Sequence, residues 1–270
     1  MKTNLKLYDN KIIEFIHPEK FHLPQFLNQQ GLINYEPVSQ ASFLAAAKFF
    51  NGSVLDIGAN IGIYSLAVAS ALNLPVYAFE PYKEAADVLE KIKTQYNYCI
   101  KVQQCAIGEN DCQGTLYISR KSDMSNSLNP NFRRHIENRE ISVKSIDTLL
   151  SSSNQKIGAM KIDTETTELE VLKGAENTIR RWRPAILLEV LKDDKEILIS
   201  DFFNSINYKI IQMGDPSYHA ILACVSSFDK TGDQRNYLAL PVEFTVDDLF
   251  YDKVRFFIKL IHQCSMKQLP

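Results

Sequence analysis

Apolar runs of membrane-spanning length are missing from this sequence, which argues against an integral membrane segment. The opening residues, MKTNLKLYDNKIIEFIHPEK, carry charges every few positions and lack the unbroken apolar stretch of a secretory signal, so a cytoplasmic location is expected. Cysteine is sparse: Cys99, Cys105, Cys112, Cys224 and Cys264 include no CxxC spacing, and an odd count suits reduced thiols better than a disulfide framework. A marked excess of charge is also lacking. With a formal net charge of −2 nothing points to a surface that tracks nucleic-acid phosphates, and no nucleic-acid partner is expected. His17, His22, His135, His219 and His262 show neither HxxxH spacing nor a paired cysteine, so no metal site is expected. The GxGxxG fingerprint of dinucleotide binding is absent as well.

What is present is VLDIGANIGIYS, residues 54–65, in which an apolar strand runs into an aspartate, a glycine turn and a helix. Glycine lets a ligand approach the backbone closely, and the helix that follows offers its N-terminus. A pyrophosphate suits such a place, but Gly58 and Gly62 stand at GxxxG spacing and Asp56 would confront it. Two like charges about 4 Å apart cost roughly 4 kcal/mol at an effective dielectric of 20, which is about a thousandfold in affinity. A ligand with an ammonium and a sulfonium and no phosphate reverses that sign. S-adenosylmethionine (SAM) is such a ligand. Asp56 could instead simply cap the helix after it.

From residue 53 the pattern alternates: strand 53–57, helix 61–72, strand 75–80, helix 82–96, strand 100–105, strand 157–162, helix 167–182, strand 185–190, helix 193–205, strand 207–213 and strand 237–240. That rhythm predicts parallel βαβ units. Residues 1–50 read as a cap segment, a short β or loop entry followed by a helix over 38–50. Residues 106–140 read as a strand plus a long surface loop, a common place for function. Residues 214–236 read as a polar, turn-rich connection. The segment 246–262 is amphipathic and packs on its own domain or on a second subunit, which makes a homodimer a reasonable expectation. The domain proper then spans 51–245, and 246–270 forms a C-terminal helical element.

In an open α/β sheet the ligand crevice lies beyond the carboxyl ends of the strands. Asp56, Glu80, Asp163 and Glu189 end predicted strands there, with Glu165 two residues past Asp163. Glu80, about 22 residues after Gly58, stands where a carboxylate accepts hydrogen bonds from two ribose hydroxyls, a feature that NAD and an adenosyl cofactor share. Asp163 and Glu165 could also act as helix caps.

Taken in order, VLDIGANIGIYS, YAFEP, CAIGE, ISVKSIDTLL, KIDTETTELEVLKGA, RPAILLEV and NYLALP resemble the FkbM-type SAM-dependent methyltransferases over roughly residues 35–241, and Tyr35-Glu36-Pro37 is similar to that family's acidic entry. The resemblance implies a class I methyltransferase (Rossmann-like) α/β fold: a seven-stranded, mostly parallel sheet with an antiparallel last strand. It also implies methyl transfer to a hydroxyl of a sugar, glycan or secondary metabolite. Asp56, Gly58, Asn60 and Gly62 would hold the methionine half of SAM, Tyr64 would back the turn, Glu80 would grip the ribose, and Cys105 and Ala106 would flank the adenine. Asp163 and Glu165 match the acidic pair of the KIDVEG stretch and face donor or acceptor. Here, however, Thr164, Thr166 and Thr167 replace the usual valine, glycine and alanine. Met124-Ser125-Asn126-Ser127-Leu128 resembles the family's serine-rich stretch without its glycine.

A hydroxyl acceptor gains from a group that takes its proton, which nominates Asp163, Glu165, Glu189, His135 or His219; Asp163 and Glu165 are favoured as organisers, with His135 placed in a loop able to close over the acceptor. The competing readings are an NAD-dependent oxidoreductase on a similar sheet and a SAM-binding protein without turnover.

Overall fold

The computed structural model describes residues 3–15, 18–191, 195–213, 222–225, 228 and 235–265. A hairpin, β1 (Thr3–Lys6) and β2 (Ile12–Phe15), precedes α1 (His22–Gln30) and α2 (Pro37–Phe50). The alternating core follows: β3 (Ser53–Ile57), α3 (Ile63–Leu72), β4 (Val76–Phe79), α4 (Lys83–Tyr96) and β5 (Ile100–Gln103). Next come β6 (Ala106–Ile107), β7 (Cys112–Ser119), β8 (His135–Lys144), α5 (Ile146–Leu149), β9 (Ile157–Ile162), α6 (Glu168–Gly174), α7 (Glu176–Trp182) and β10 (Ala185–Glu189). The chain continues through α8 (Glu196–Ser205), β11 (Tyr208–Met213), β12 (Leu222–Val225), β13 (Asn236–Pro241) and α9 (Asp248–Ser265).

The main sheet has the order β12-β11-β13-β10-β9-β3-β4-β5. Strands β10, β9, β3, β4 and β5 are parallel, whereas β13 runs antiparallel to both β10 and β11. Eight strands stand where seven were expected. The addition is β12, antiparallel to β11 at the edge, inside the stretch read as a turn-rich connection; four residues are too few for a periodic signal. Every residue of β3 and β9 is buried, as in a sheet covered on both faces. One apolar cluster lies under α2, α3, α4 and α9, and a second under α6, α7 and α8.

Other departures are local. The helix expected over 167–182 is two, α6 and α7, broken at Ala175, where φ is −118° and ψ 7°. Residues 106–140 hold most of a separate three-stranded sheet, β6-β8-β7, so only the stretch between β7 and β8 is loop. Phe250, Val254, Phe257 and Ile258 of α9 are buried in the chain's own core, where α9 packs on α2 and the rings of Phe49, Phe50, Phe244 and Phe250 lie 4.8–6.0 Å apart. The apolar face that would have served a dimer is therefore covered from within. No helix among the described residues is long and apolar enough to cross a membrane.

The order of strands reverses between β3 and its neighbours β4 and β9. A crevice opens at that switch point, beyond Ile57, Phe79, Ile162 and Glu189.

Candidate active site

The turn after β3 forms the floor of the cleft. Gly58 has φ +75° and Gly62 +88°, and a Cβ on Gly58 would lie 1.8 Å from the backbone oxygen of Asp163, so only glycine allows the ends of β3 and β9 to meet. The Gly58 and Ala59 amides donate to the Phe79 carbonyl at 3.0 and 3.1 Å. Glu80 closes the opposite side: its Oε2 accepts from the Asn60 amide at 2.7 Å and its Oε1 from the Tyr82 amide at 2.8 Å. Burial pushes the Glu80 carboxyl up to about 7 in spite of those bonds.

Beneath the turn sits a buried ion group. Lys161, the one charged side chain of β9, donates to Asp163 Oδ2 at 3.0 Å and to the Gly58 carbonyl at 3.1 Å, and lies 4.0 Å from Asp56 Oδ1. Asp56 accepts from Ser65 Oγ at 2.6 Å, while its Oδ1 has no hydrogen-bond partner. Burial raises the Asp56 carboxyl, and Lys161 and Ser65 act against that. Burial alone would lower the Lys161 ammonium, but Asp163 and Asp56 hold it above its ordinary range.

The wall is acidic. Glu36, at the start of α2 with φ +46°, accepts from Tyr64 Oη at 2.8 Å and from Asn236 Nδ2 at 3.0 Å. Carboxylate oxygens of Asp163, Glu165 and Glu189 lie within 4.8 Å of one another, close enough for one cation to bridge them. Burial first, and Asp163 second, push both Glu165 and Glu189 upward, and a hydrogen bond joins Glu189 to Asp163. Behind them Glu168 Oε1 accepts from the Thr164 amide at 2.9 Å, from Thr164 Oγ1 at 3.0 Å and from the Thr166 amide at 3.3 Å. Thr166 keeps φ at +86°. It is held by Asn129 Nδ2, which donates to its Oγ1 at 3.0 Å, and by Lys195 Nζ, which donates to its carbonyl at 3.0 Å. The loop after β7 roofs the cleft: Ser127 Oγ donates to the Glu165 carbonyl at 2.5 Å.

Of the residues singled out in the sequence, Gly58, Asn60, Tyr64, Glu80, Cys105, Ala106, Asp163, Glu165 and Glu189 line one cleft. Asp56 and Gly62 do not. Asp56 is buried under the turn and acts on the cleft through Lys161, and Gly62 packs against Leu89, so neither touches the cleft directly. His135 is not brought there either. It opens β8 as an exposed residue with its ring 4.9 Å from that of Tyr117, because the expected loop is strand from that point on. His219 lies outside the described residues. Sequence reasoning passed over Lys161 as a site residue, although a lysine inside a wholly buried strand was the available signal. Glu36 was marked only by resemblance, since nothing in its spacing ties it to the strand ends.

Sheet order, glycine turn and acidic crevice together define a doubly wound α/β protein with an acidic cleft at the switch point. The model of the methyltransferase FkbM domain matches residues 56–223, more than half of the chain, and the chain belongs to that family. No curated protein sequence is significantly similar to it. Among solved structures it is similar to the methyltransferase FkbM from Methylobacillus flagellatus KT, with 22% identity, a TM-score of 0.48 and coverage of 71% of this chain. The chain spans 44% of that protein's length. It is also similar to precorrin-6y C5,15-methyltransferase from Geobacter metallireducens GS-15, with 9% identity, TM-score 0.43 and coverage of 78% of this chain and 92% of that one. A rRNA methylase from Streptococcus thermophilus matches at 12% identity and TM-score 0.43, over 76% of this chain and 95% of that one.

Proposed function

We propose that this chain is a SAM-dependent methyltransferase that methylates a hydroxyl of a sugar, glycan or secondary metabolite. The observation that carries the reading is the charge of the cleft: Glu36, Glu80, Asp163, Glu165 and Glu189 surround a single lysine, Lys161. A pyrophosphate meets repulsion there and a phosphate-free cation meets attraction. Asp56 itself is buried beneath the turn, so this charge comes from its neighbours, which face the cleft.

When bound, SAM supplies a methyl carbon activated by a sulfonium. Gly58 and Asn60 would hold its methionine half, Tyr64 and Glu36 would wall that half in, and Glu80, already oriented by two amides, would accept from the ribose hydroxyls. Cys105 and Ala106 would flank the adenine. Asp56 and Gly62 would serve from behind, by fixing Lys161 and the turn. Methyl transfer gains mainly from holding nucleophile and carbon in line. Beyond that, burial makes a carboxylate a stronger base once it is ionised, and the Asp163, Glu165 and Glu189 group, ionised beside a bound cation, would take and share a hydroxyl proton. His135, exposed and away from the cleft, is left without a part in that step. The division into a cap (1–50), a methyltransferase domain (51–245) and a C-terminal helix (246–270) is part of the same proposal.

Calorimetric titration with SAM, S-adenosylhomocysteine and NAD tests it. The expected result is binding of both adenosyl compounds and not of NAD; binding of NAD alone would sink the reading in favour of an oxidoreductase. The threonines at 164, 166 and 167 sustain one alternative, a SAM-binding protein without turnover. Its signature is SAM binding with no methylation across a panel of sugars and glycosylated metabolites, with Asp163→Asn as the control.

A further inference from the structure

The cleft is acidic, but its rim is not. Between β7 and β8 the chain lines the cleft, through Asp123, Met124, Asn126, Ser127 and Leu128. On either side of that stretch Arg120, just after β7, and Arg133, Arg134 and His135, at the entry to β8, line a separate open groove, all exposed. Among the described residues the arginines in ion pairs are Arg139, Arg180, Arg183 and Arg255, so the three guanidinium groups of this groove have no carboxylate within 4.0 Å. Guanidinium groups on one groove that no ion pair answers repel one another unless an anion joins them.

The backbone that carries these arginines is tied together. The Arg120 amide donates to the Arg134 carbonyl at 2.9 Å, the Ser119 amide donates to Asn126 Oδ1 at 2.9 Å, and Tyr117 and Ser127 form an isolated bridge. The Arg133 guanidinium rests 4.6 Å over the Phe132 ring. The same segment reaches the acidic wall of the cleft: Ser127 and Asn129 hold the backbone of Glu165 and the side chain of Thr166, and the charge of Arg133 acts on the Glu165 carboxyl.

An acceptor bearing a phosphate or carboxylate cannot place that group among Asp163, Glu165 and Glu189. It can place it on guanidinium forks, which match either anion bidentately. We propose that the arginine groove holds the anionic group of an acidic acceptor while its neutral hydroxyl enters the cleft. This rests on the methyl-transfer reading and narrows its substrate class to acidic sugars or similarly anionic small molecules.

The test uses the full chain, titrated calorimetrically with glucose 6-phosphate, glucuronate and glucose, and the same for the Arg120→Ser/Arg133→Ser/Arg134→Ser variant. At least one anionic sugar should bind the unaltered chain and bind the variant about ten-fold or more weakly, while glucose binds neither. Which of the two binds tells phosphate from carboxylate. Binding of S-adenosylhomocysteine should be the same in both proteins, since none of the three arginines lines the cleft. If that compound failed to bind the unaltered chain, the methyl-transfer reading would fall while the anion groove stood. The groove proposal is overturned if neither anionic sugar binds, if the variant binds them undiminished, or if a short oligouridylate alone shows the arginine dependence, which would make this a nucleic-acid face.

Discussion

Thr166 holds a left-handed φ of +86°, a conformation that crowds a β-branched side chain and costs of order 1–3 kcal/mol. Its hydrogen bonds to Asn129 and Lys195 and the amide bond to Glu168 hold it there, so the turn keeps the shape a glycine would give. Thr166→Ala and Thr166→Gly both lose the Asn129 bond, and only the glycine relieves the strain. The glycine variant should be the more stable of the two by about 1 kcal/mol in urea unfolding; equal stability would show that the turn is unstrained. Lys161 is the cation that answers two buried or half-buried carboxylates, Asp56 and Asp163. Lys161→Met should destabilise by about 3 kcal/mol, and adding Asp56→Asn should restore part of that loss, whereas simple additivity would place Lys161 outside the ion group. At this scale the carboxylates at strand ends were legible, because an acidic residue closing an apolar run is conspicuous. Thr166 was legible only as a departure, since its φ depends on bonds from residues 37 and 29 positions away.

Elements with a full apolar face could be read from the sequence, and those half-covered could not. Helix α4 buries Ala85, Ala86, Val88, Leu89 and Ile92 along one stripe, and β9 is apolar at five of six positions; both were placed within a residue or two. Strand β8 has an exposed first half with alternating charges, so its sequence resembles loop and its pairing with β7 is invisible locally. The break between α6 and α7 has a packing cause. A Cβ on Gly174 would lie 2.0 Å from the Gly108 carbonyl oxygen, so the end of α6 rests directly on the backbone after β6. Gly174→Ala should therefore cost about 2 kcal/mol through backbone displacement, read as a lowered denaturant midpoint with unchanged m-value. A variant as stable as the parent would mean that the two segments part without penalty.

Over the whole molecule, acid is concentrated in the cleft while the net charge is only −2. Burial pushes Glu80 and Glu168 from 4.5 up to about 7, and burial followed by Asp163 raises Glu36, Glu165 and Glu189. A carboxyl raised on folding binds more protons folded than unfolded, so its contribution is whole below 4.5 and is lost as pH climbs through about 7. Asp111, Glu137 and Glu243 are lowered by hydrogen bonds and ion pairs, and their stabilisation is lost only as pH falls below the ordinary carboxylate range, outside that window. Lys161, raised by Asp163 and Asp56 against its burial, stays charged throughout it. The ligand-free protein should therefore melt lower at pH 8 than at pH 5, by roughly 5 °C for a chain of this size. A cation that needs the ionised cleft should reverse that trend, so the rise in melting temperature produced by SAM should be larger at pH 8 than at pH 5. A ligand-free melting temperature that rises over the interval would mean that the cleft carboxyls ionise as freely folded as unfolded. The cleft would then be ionised at pH 5 as well as at pH 8, and SAM would raise the melting temperature equally at both.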